Sequence, residues 1–375
     1  MQQAASNSVE VGLVLQGGGA LGAYEYGAVT ALLELMDEIE RSGRPVRLIA
    51  VTGVSIGAIN AACVVGATDR ADARKRLASL WSVLSLEASK YVWESVGHDL
   101  ALFGVPGFYE PRRDVWNFFT WTSLYDTHPM VKTLEDHVDF TALNSSSTAF
   151  VVTAVDIESG KLVRFRNHDH KEDARTKIGP EHVLASGSLP PPLPATAVKG
   201  TSYWDGGLVD NTPLGDAIDA FSTSEDVERV LIVMNLFRKQ RALPRNMLEV
   251  NDRVSELRFG NRARQDSANA DTINELLKTI DQLAAAVPVG SLDQRLKDSL
   301  SKARRFKVLA AITNIDLDDP VLMARAGVAT TSPDPNAFRD FSAAGIQRRH
   351  EGGYKIAQMK LQQLFEERGF LARSH

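Results

Sequence analysis

The sequence predicts an α/β fold with a mainly parallel central sheet, and two observations carry this prediction. Apolar runs typical of buried strands alternate with helical patterns along the first two thirds of the chain, at 9–15, 46–51, 148–157 and 227–234. A glycine-rich turn also directly follows each of the first two runs. Strands and helices that alternate in this way are typical of parallel sheets covered by helices on both faces. We therefore expect the functional side chains where the strands end.

A glycine loop follows the first strand, and it allows two interpretations. Gly17, Gly19 and Gly22 satisfy G-x-G-x-x-G, the pattern of a dinucleotide-binding loop. Such a site also needs an acidic residue at the end of the next strand, but residues 52–55 read TGVS and contain none. The alternative is that the bare amides of the loop face a developing oxyanion, with Gly18 and Gly19 as the main donors.

The second strand ends in Gly53-Val54-Ser55-Ile56-Gly57, which matches G-x-S-x-G. Gly53 and Gly57 let the backbone pass a sharp bend without a Cβ clash, so the hydroxyl of Ser55 would point away from the sheet. A helix rich in small residues follows, and its N-terminus carries partial positive charge beside the serine. The motif predicts a nucleophile, although by itself it also fits a structural glycine turn.

Residues 91–125 are unusually rich in aromatic side chains, with ten of the 27 Phe, Trp and Tyr residues of the chain. Glycines and prolines interrupt the segment, so we expect an irregular cap or lid and not a regular helix. One interpretation is a satellite core under a long loop. The other is an apolar channel or an interfacial lip for an acyl chain.

A second turn motif, Asp205-Gly206-Gly207, follows a short strand pattern and a proline-rich stretch at 186–194 that we expect to be extended and stiff. Two glycines after a carboxylate permit a tight turn that holds the acid rigidly. Alone, this motif is typical of an ordinary turn. Together with Ser55 and the glycine loop, it is better explained as the base that activates the serine.

These motifs resemble, in order and in kind, those of the patatin-like lipid acyl hydrolases, and the resemblance covers about residues 9–235. It implies a three-layer sandwich with a Ser/Asp dyad, no cofactor and no metal in the chemistry. Carried over residue by residue, it implies Ser55 as nucleophile, Asp205 as general base, and an oxyanion hole at Gly17, Gly18 and Gly19.

An aspartate base needs a physical explanation, because an unperturbed carboxylate is a poor acceptor for a serine proton. We expect a dry cleft that raises its basicity. The competing hypothesis is a Ser/His/Asp triad that uses His128, His168 or His182, although none of these lies in a tight turn.

The chain is expected to divide into a catalytic domain at 9–237, including the cap at 91–125, and a mostly helical C-terminal extension at 238–375. Apolar residues at helical spacing predict a final helix at 342–368. The sequence leaves three roles open for the extension: packing against the first domain, self-association into a homo-oligomer, or attachment to a surface.

Composition limits the classes of partner. The net charge of −5 offers no global basic face for nucleic acid. Because Cys63 is the single cysteine of the sequence, an internal disulfide is excluded. The N-terminus lacks the features of a signal peptide, and no apolar run is long enough to span a bilayer. We therefore expect a cytoplasmic protein that contacts membranes only peripherally.

The predicted function is hydrolysis of lipid or phospholipid esters, as by a phospholipase A or a lysophospholipase. The same site would also support an acyltransferase or a thioesterase, and a catalytically silent lipid-binding regulatory module is the alternative from another class.

Overall fold

The computed structural model describes residues 8–87, 100–168, 176–224, 226–287, 293–303, 308–317, 319–328 and 338–373. Its strands are β1 (Ser8–Leu15), β2 (Val46–Gly53), β3 (Glu110–Pro111), β4 (Tyr125–Asp126), β5 (Ala149–Asp156), β6 (Leu162–Arg166), β7 (Thr196–Val198), β8 (Thr201–Asp205), β9 (Val227–Asn235) and β10 (Ala311–Asp316). Its helices are α1 (Gly22–Arg41), α2 (Ile56–Val65), α3 (Arg70–Val83), α4 (His128–His137), α5 (Phe140–Ser145), α6 (Pro180–Ser186), α7 (Leu214–Asp219), α8 (Met247–Ala286), α9 (Gln294–Ala303), α10 (Pro320–Arg325) and α11 (Ala343–Glu367).

The central sheet has the order β10-β9-β1-β2-β5-β8-β7, with β6 paired to β5. Strands β10, β9, β1, β2 and β5 run parallel, while β6 and β8 run antiparallel to β5. Residues 9–15 of β1 are all buried, whichever face of the sheet they point to. This is expected for a strand that is covered by other elements on both faces. The predicted α/β class with a mainly parallel sheet is therefore confirmed.

Strand β5 brings the two turn motifs together. Its first half pairs with β2, so that Gly53 lies opposite Val152. Its second half pairs with β8, so that Asp205 lies opposite Ala154. Gly53 and Asp205 are 152 residues apart in the sequence. Their partners on β5 are only two residues apart, which is about 7 Å along a strand.

The C-terminal region joins the same structure as the preceding part of the chain. β10 adds a parallel strand next to β9, and α11 packs against α1. A Cβ at Gly27 would overlap the His350 carbonyl, and a Cβ at Gly353 would overlap the Tyr24 carbonyl. Since only glycine permits two helix backbones to approach this closely, packing against the first helix is built into the sequence of both helices.

The aromatic segment divides into a buried and an exposed part. Phe108 and Tyr109 are buried and stack edge-on, and Phe108 also contacts Phe341. Trp116 and Phe119 are instead 78% and 99% exposed. The part of the predicted cap at 91–99, including Tyr91 and Trp93, lies outside the described residues.

One expectation for the chain before Asp205 is wrong. The proline-rich stretch is not extended, because the amide of Leu193 donates to the carbonyl of Leu189 at 3.0 Å and closes a turn. Three consecutive prolines fix φ without fixing ψ, so the pattern alone does not distinguish an extended chain from a turn.

No helix among the described residues is long and apolar enough to cross a membrane.

Candidate active site

The G-x-S-x-G motif forms the predicted sharp turn between β2 and α2. Ser55 has φ 55° and ψ −123°, a backbone conformation that residues with a side chain rarely adopt. A Cβ at Gly57 would lie 2.7 Å from the carbonyl oxygens of Leu15 and Gln16, so the turn packs directly on the end of β1. The amide of Ser55 donates to the hydroxyl of Ser186 on α6 at 3.0 Å, and this hydrogen bond helps to hold the strained residue in place.

Asp205 lies at the end of β8, where it is 3% exposed. Its carboxylate accepts a hydrogen bond from the amide of Gly207 at 2.7 Å. Burial raises the pKa of Asp205 to about 7, and its interactions with the Gly207 amide and with the Ser55 hydroxyl oppose this shift. Asp205 therefore lies near Ser55, and a pKa of about 7 is suited to proton transfer at neutral pH.

Both glycines after Asp205 are required by close packing. A Cβ at Gly206 would overlap the backbone of Thr153 on β5. A Cβ at Gly207 would lie 2.8 Å from Oδ1 of Asn211 and 3.1 Å from Oδ1 of Asp205. The turn thus keeps the acid against the sheet with no room for a side chain.

The glycine loop lies beside Ser55, because a Cβ at Gly17 would be 2.9 Å from the Cβ of Ser55. The amide of Gly17 donates to Oδ1 of Asn211 at 3.1 Å, and Nδ2 of Asn211 donates to the Gly17 carbonyl at 3.1 Å. An amide already engaged in this way is not a free donor. The structure therefore argues against Gly17 as an oxyanion donor and gives it a supporting position instead.

Gly18 and Gly19 keep their amides free of partners within the described part of the chain. Gly19 has φ +55°, and a Cβ there would lie 2.5 Å from the carbonyl oxygen of Phe338. The next amide, that of Ala20, donates to the same oxygen at 3.0 Å. The C-terminal region thus holds the glycine loop from outside while two amides remain available.

A second buried carboxyl group supports the base of the loop. Glu25 on α1 accepts hydrogen bonds from the amide of Gln16 at 2.6 Å and from Nδ2 of Asn60 at 3.1 Å. Oδ1 of Asn60 in turn accepts from the indole of Trp81 at 3.0 Å. Burial raises the pKa of Glu25 well above its ordinary value. Glu25 therefore positions the residue that precedes the glycines and is not one of the groups in contact with Ser55.

The histidines considered for a triad have other contacts or other locations. Nδ1 of His182 accepts the amide of Gly179 at 3.0 Å, and its ring packs edge-on against Phe165. His128 begins α4, and Nδ1 of His168 contacts Asn167. None of the three is among the hydrogen-bond partners found for Asp205 in the described residues. The same described residues contain no group of three or more His, Cys, Asp or Glu arranged to hold a metal ion.

Comparison with known proteins is consistent with this geometry. The family model described as patatin-like phospholipase matches residues 13–218, which is more than half of the chain. The chain belongs to the patatin-like phospholipase family. The matched segment of this patatin-like protein contains the glycine loop, Ser55 and Asp205, and it ends within α7.

The curated relatives are fungal and much longer. Lysophospholipase NTE1 of Lodderomyces elongisporus is 30% identical over 217 residues, which are 54% of this chain and 11% of that protein. Lysophospholipase NTE1 of Scheffersomyces stipitis is 30% identical over 219 residues, again 11% of its length. The chain thus spans about a tenth of the length of these relatives. Among solved structures, VipD from Legionella pneumophila aligns with a TM-score of 0.40 and 16% identity over 96% of this chain and 67% of that one.

Three residues of the patatin-like site were not predicted from the sequence: Ser186, Asn211 and Glu25. Asn211 lies four residues after Gly207, and a polar side chain so close to a predicted acid turn was an available signal. Ser186 and Glu25 offer no such signal, because each lies within a helix pattern and contacts the backbone amide of another segment, Ser55 for Ser186 and Gln16 for Glu25.

Proposed function

We propose that this patatin-like protein is a serine lipid acyl hydrolase of the lysophospholipase or phospholipase A type. The observation that carries the proposal is the strained turn at Ser55, which lies beside the glycine loop and near the buried Asp205, while the amides of Gly18 and Gly19 have no partner in the described residues. The relatives are lysophospholipases, which supports lysophospholipids as the first substrates to test.

In the proposed mechanism, Oγ of Ser55 attacks the ester carbonyl carbon while Asp205 accepts the hydroxyl proton. The negative charge that forms on the carbonyl oxygen is stabilised by the amides of Gly18 and Gly19. When the tetrahedral intermediate collapses, the protonated Asp205 donates its proton to the departing lipid alcohol. The product on the enzyme is an acyl ester of Ser55.

The second half of the proposed reaction reverses these roles. Water attacks the acyl ester, and Asp205 accepts a proton from it. The fatty acid then leaves as Oγ of Ser55 recovers that proton. No third group is required to orient the base, because the Gly207 amide and the packing of Gly206 against Thr153 already hold Asp205 in place.

The test is labelling with a fluorophosphonate probe, followed by hydrolysis of lysophosphatidylcholine. We expect the wild type to be labelled and to release fatty acid, and Ser55→Ala to do neither. Ser159→Ala is the matched control, because Ser159 is exposed on the turn between β5 and β6. Labelling that survives in Ser55→Ala would contradict the proposal, and an unlabelled wild type would favour the silent lipid-binding module.

A further inference from the structure

Every exposed Phe and Trp among the described residues lies in one short part of the chain, 103–119. Phe103 and Trp116 are each 78% exposed, and Phe118 and Phe119 are adjacent to one another. Exposed Leu102 and Leu124 lie in the same part of the fold. We call these six residues the aromatic surface: Leu102, Phe103, Trp116, Phe118, Phe119 and Leu124. Exposed apolar side chains elsewhere in the described chain are aliphatic.

The segments that carry the aromatic surface are tied into one unit. The hydroxyl of Tyr125 donates to the carbonyl of Leu102 at 3.1 Å, which joins the 3-10 turn at Leu100–Phe103 to β4. β3 pairs with β4, and the 3-10 turn at Val115–Thr120 lies between them. The indole of Trp121 donates to the carbonyl of Asp114 at 3.2 Å and closes that turn. Clustering of large side chains on a hydrogen-bonded unit distinguishes this surface from scattered exposed residues.

The aromatic surface is attached to the rim of the candidate active site. The amides of Leu124 and Tyr125 both donate to the carbonyl of Pro192, at 3.1 and 3.0 Å. Pro192 belongs to the turn that follows Gly187, and a Cβ at Gly187 would lie 4.0 Å from Oγ of Ser55. One short turn therefore connects the segment that carries the aromatic surface to a residue beside Ser55.

The charges around the surface indicate which partner it fits. Arg112 pairs with Asp114 at 2.6 Å, and Arg113 pairs with Glu110 at 2.9 Å. A carboxylate oxygen of Asp126 accepts a hydrogen bond from the amide of His128 at 2.8 Å, at the start of α4. Within 110–126, two arginines thus face three carboxylates, so this segment has no excess positive charge that would attract anionic headgroups.

We propose that the aromatic surface docks this protein onto a neutral, zwitterionic lipid surface and places Ser55 at the interface that holds its substrate. Trp and Phe are well suited to this role, because large aromatic rings gain free energy at the boundary between headgroups and acyl chains. The proposal rests on the proposed lipid hydrolysis for its purpose, but the docking itself is measured without turnover.

Docking is tested by sedimentation with phosphatidylcholine vesicles, with all proteins in the Ser55→Ala background so that no lipid is consumed. We expect the parent to sediment with the vesicles and Trp116→Ser/Phe119→Ser to lose about tenfold or more of its partition coefficient. Leu243→Ser/Met247→Ser is the matched control, since these side chains are 88% and 79% exposed on another segment. Its partition should equal that of the parent, and 0.5 M salt, roughly, should leave all values unchanged.

The outcomes that overturn the proposal are distinct. Absence of parent binding, or an equal loss in both double variants, would exclude docking through the aromatic surface. Binding that requires phosphatidylglycerol and disappears in salt would mean an electrostatic site elsewhere. A dimer in light scattering that Trp116→Ser/Phe119→Ser abolishes would identify a second copy of the chain as the occupant.

A parallel assay separates this proposal from the proposed function. With Ser55 intact, Trp116→Ser/Phe119→Ser should keep wild-type activity on a soluble short-chain ester and lose activity on vesicles by about tenfold or more. Equal losses on both substrates would place these side chains in the catalytic site and not in docking. A wild type that binds vesicles but hydrolyses neither substrate would contradict the enzyme and leave the docking surface in place.

Discussion

The glycine-lined turns around Ser55 and the aromatic surface are neighbours, but they are built by opposite rules. Around Ser55, the glycines of the glycine loop, of the serine turn and of the acid turn have no room for a methyl group, and at Gly53, Gly57 and Gly206 backbone packs on backbone. On the aromatic surface, the largest side chains of the chain extend into solvent. Around Ser55, the geometry depends on glycines, and a side chain added at these positions would not fit. The aromatic surface presents side chains with few intramolecular contacts, so their removal should leave the fold intact.

Gly19→Ala tests this contrast through a large loss of activity. The new Cβ would adopt a positive φ and lie 2.5 Å from the carbonyl oxygen of Phe338, so the loop must shift. Loss of one oxyanion donor lowers kcat by about 10²- to 10³-fold, and we expect a decrease in this range. The measurement is kcat on a soluble ester.

The control for Gly19→Ala is Gly43→Ala, which measures only the cost in stability of placing an alanine in a left-handed backbone conformation. Gly43 has φ +90°, but no atom lies within 4 Å of a Cβ built there. Both variants should therefore lose about 1–2 kcal/mol of stability from the left-handed backbone, and only Gly19→Ala should lose activity. Equal kcat for the two variants would show that the glycine loop is not part of the reaction.

Asn211→Ala should have the next largest effect, because Asn211 connects the glycine loop with the acid turn. It exchanges two hydrogen bonds with the backbone of Gly17. Asn274 provides a matched control, since it makes the same pair of bonds to the backbone of Leu309, at 3.0 and 2.7 Å. A positioning role predicts that kcat falls about 10- to 100-fold in Asn211→Ala with little change in KM, and that Asn274→Ala keeps its kcat. If both variants lose only thermal stability, Asn211 is merely structural.

The glycine-lined region was largely predictable from sequence, and the reason is physical. Positions such as Gly53, Gly57 and Gly206 have no room for any side chain. The glycines in the sequence motif therefore predict the tight turns directly. Ser186 acts through one hydrogen bond to a distant segment, which leaves no local pattern, and for Asn211 only its position shortly after the acid turn gives a signal. The division of the aromatic segment was equally hidden, since Phe108 and Phe119 differ only in what packs over them. The turn before Asp205 was missed because proline limits one backbone angle only.

The pH dependence of activity tests whether the buried acid is the base. The pKa of Asp205 is raised by burial to about 7, so kcat/KM on a neutral soluble ester should rise about tenfold per pH unit below pH 7 and level above it. Asp205→Asn should abolish this activity. A profile that is flat between pH 5 and 8, roughly, would remove Asp205 from the role of base.

The same pKa shift predicts a change of stability with the opposite pH trend. Because the pKa of Asp205 is 3.8 in the unfolded chain and about 7 in the folded one, the folded state binds more protons between these values. The contribution of Asp205 to stability should therefore fall as the pH rises from about 4 to 7, by about 1.4 kcal/mol for each unit of pKa shift at most. Asp205→Asn should remove this fall, as measured by urea unfolding at pH 5 and pH 8, roughly.

The last comparison is between two phenylalanines of the same aromatic segment, and the effect at the exposed one should be the smallest of all. Phe108 is buried against Tyr109 and Phe341, and Phe108→Ala should cost about 3–5 kcal/mol of unfolding free energy. Phe119 is 99% exposed, and Phe119→Ala should stay within about 0.5 kcal/mol of the wild type. Urea unfolding measures both. A cost above about 1 kcal/mol for Phe119→Ala would mean that its ring packs against the chain in solution, and the aromatic surface would then be part of the core.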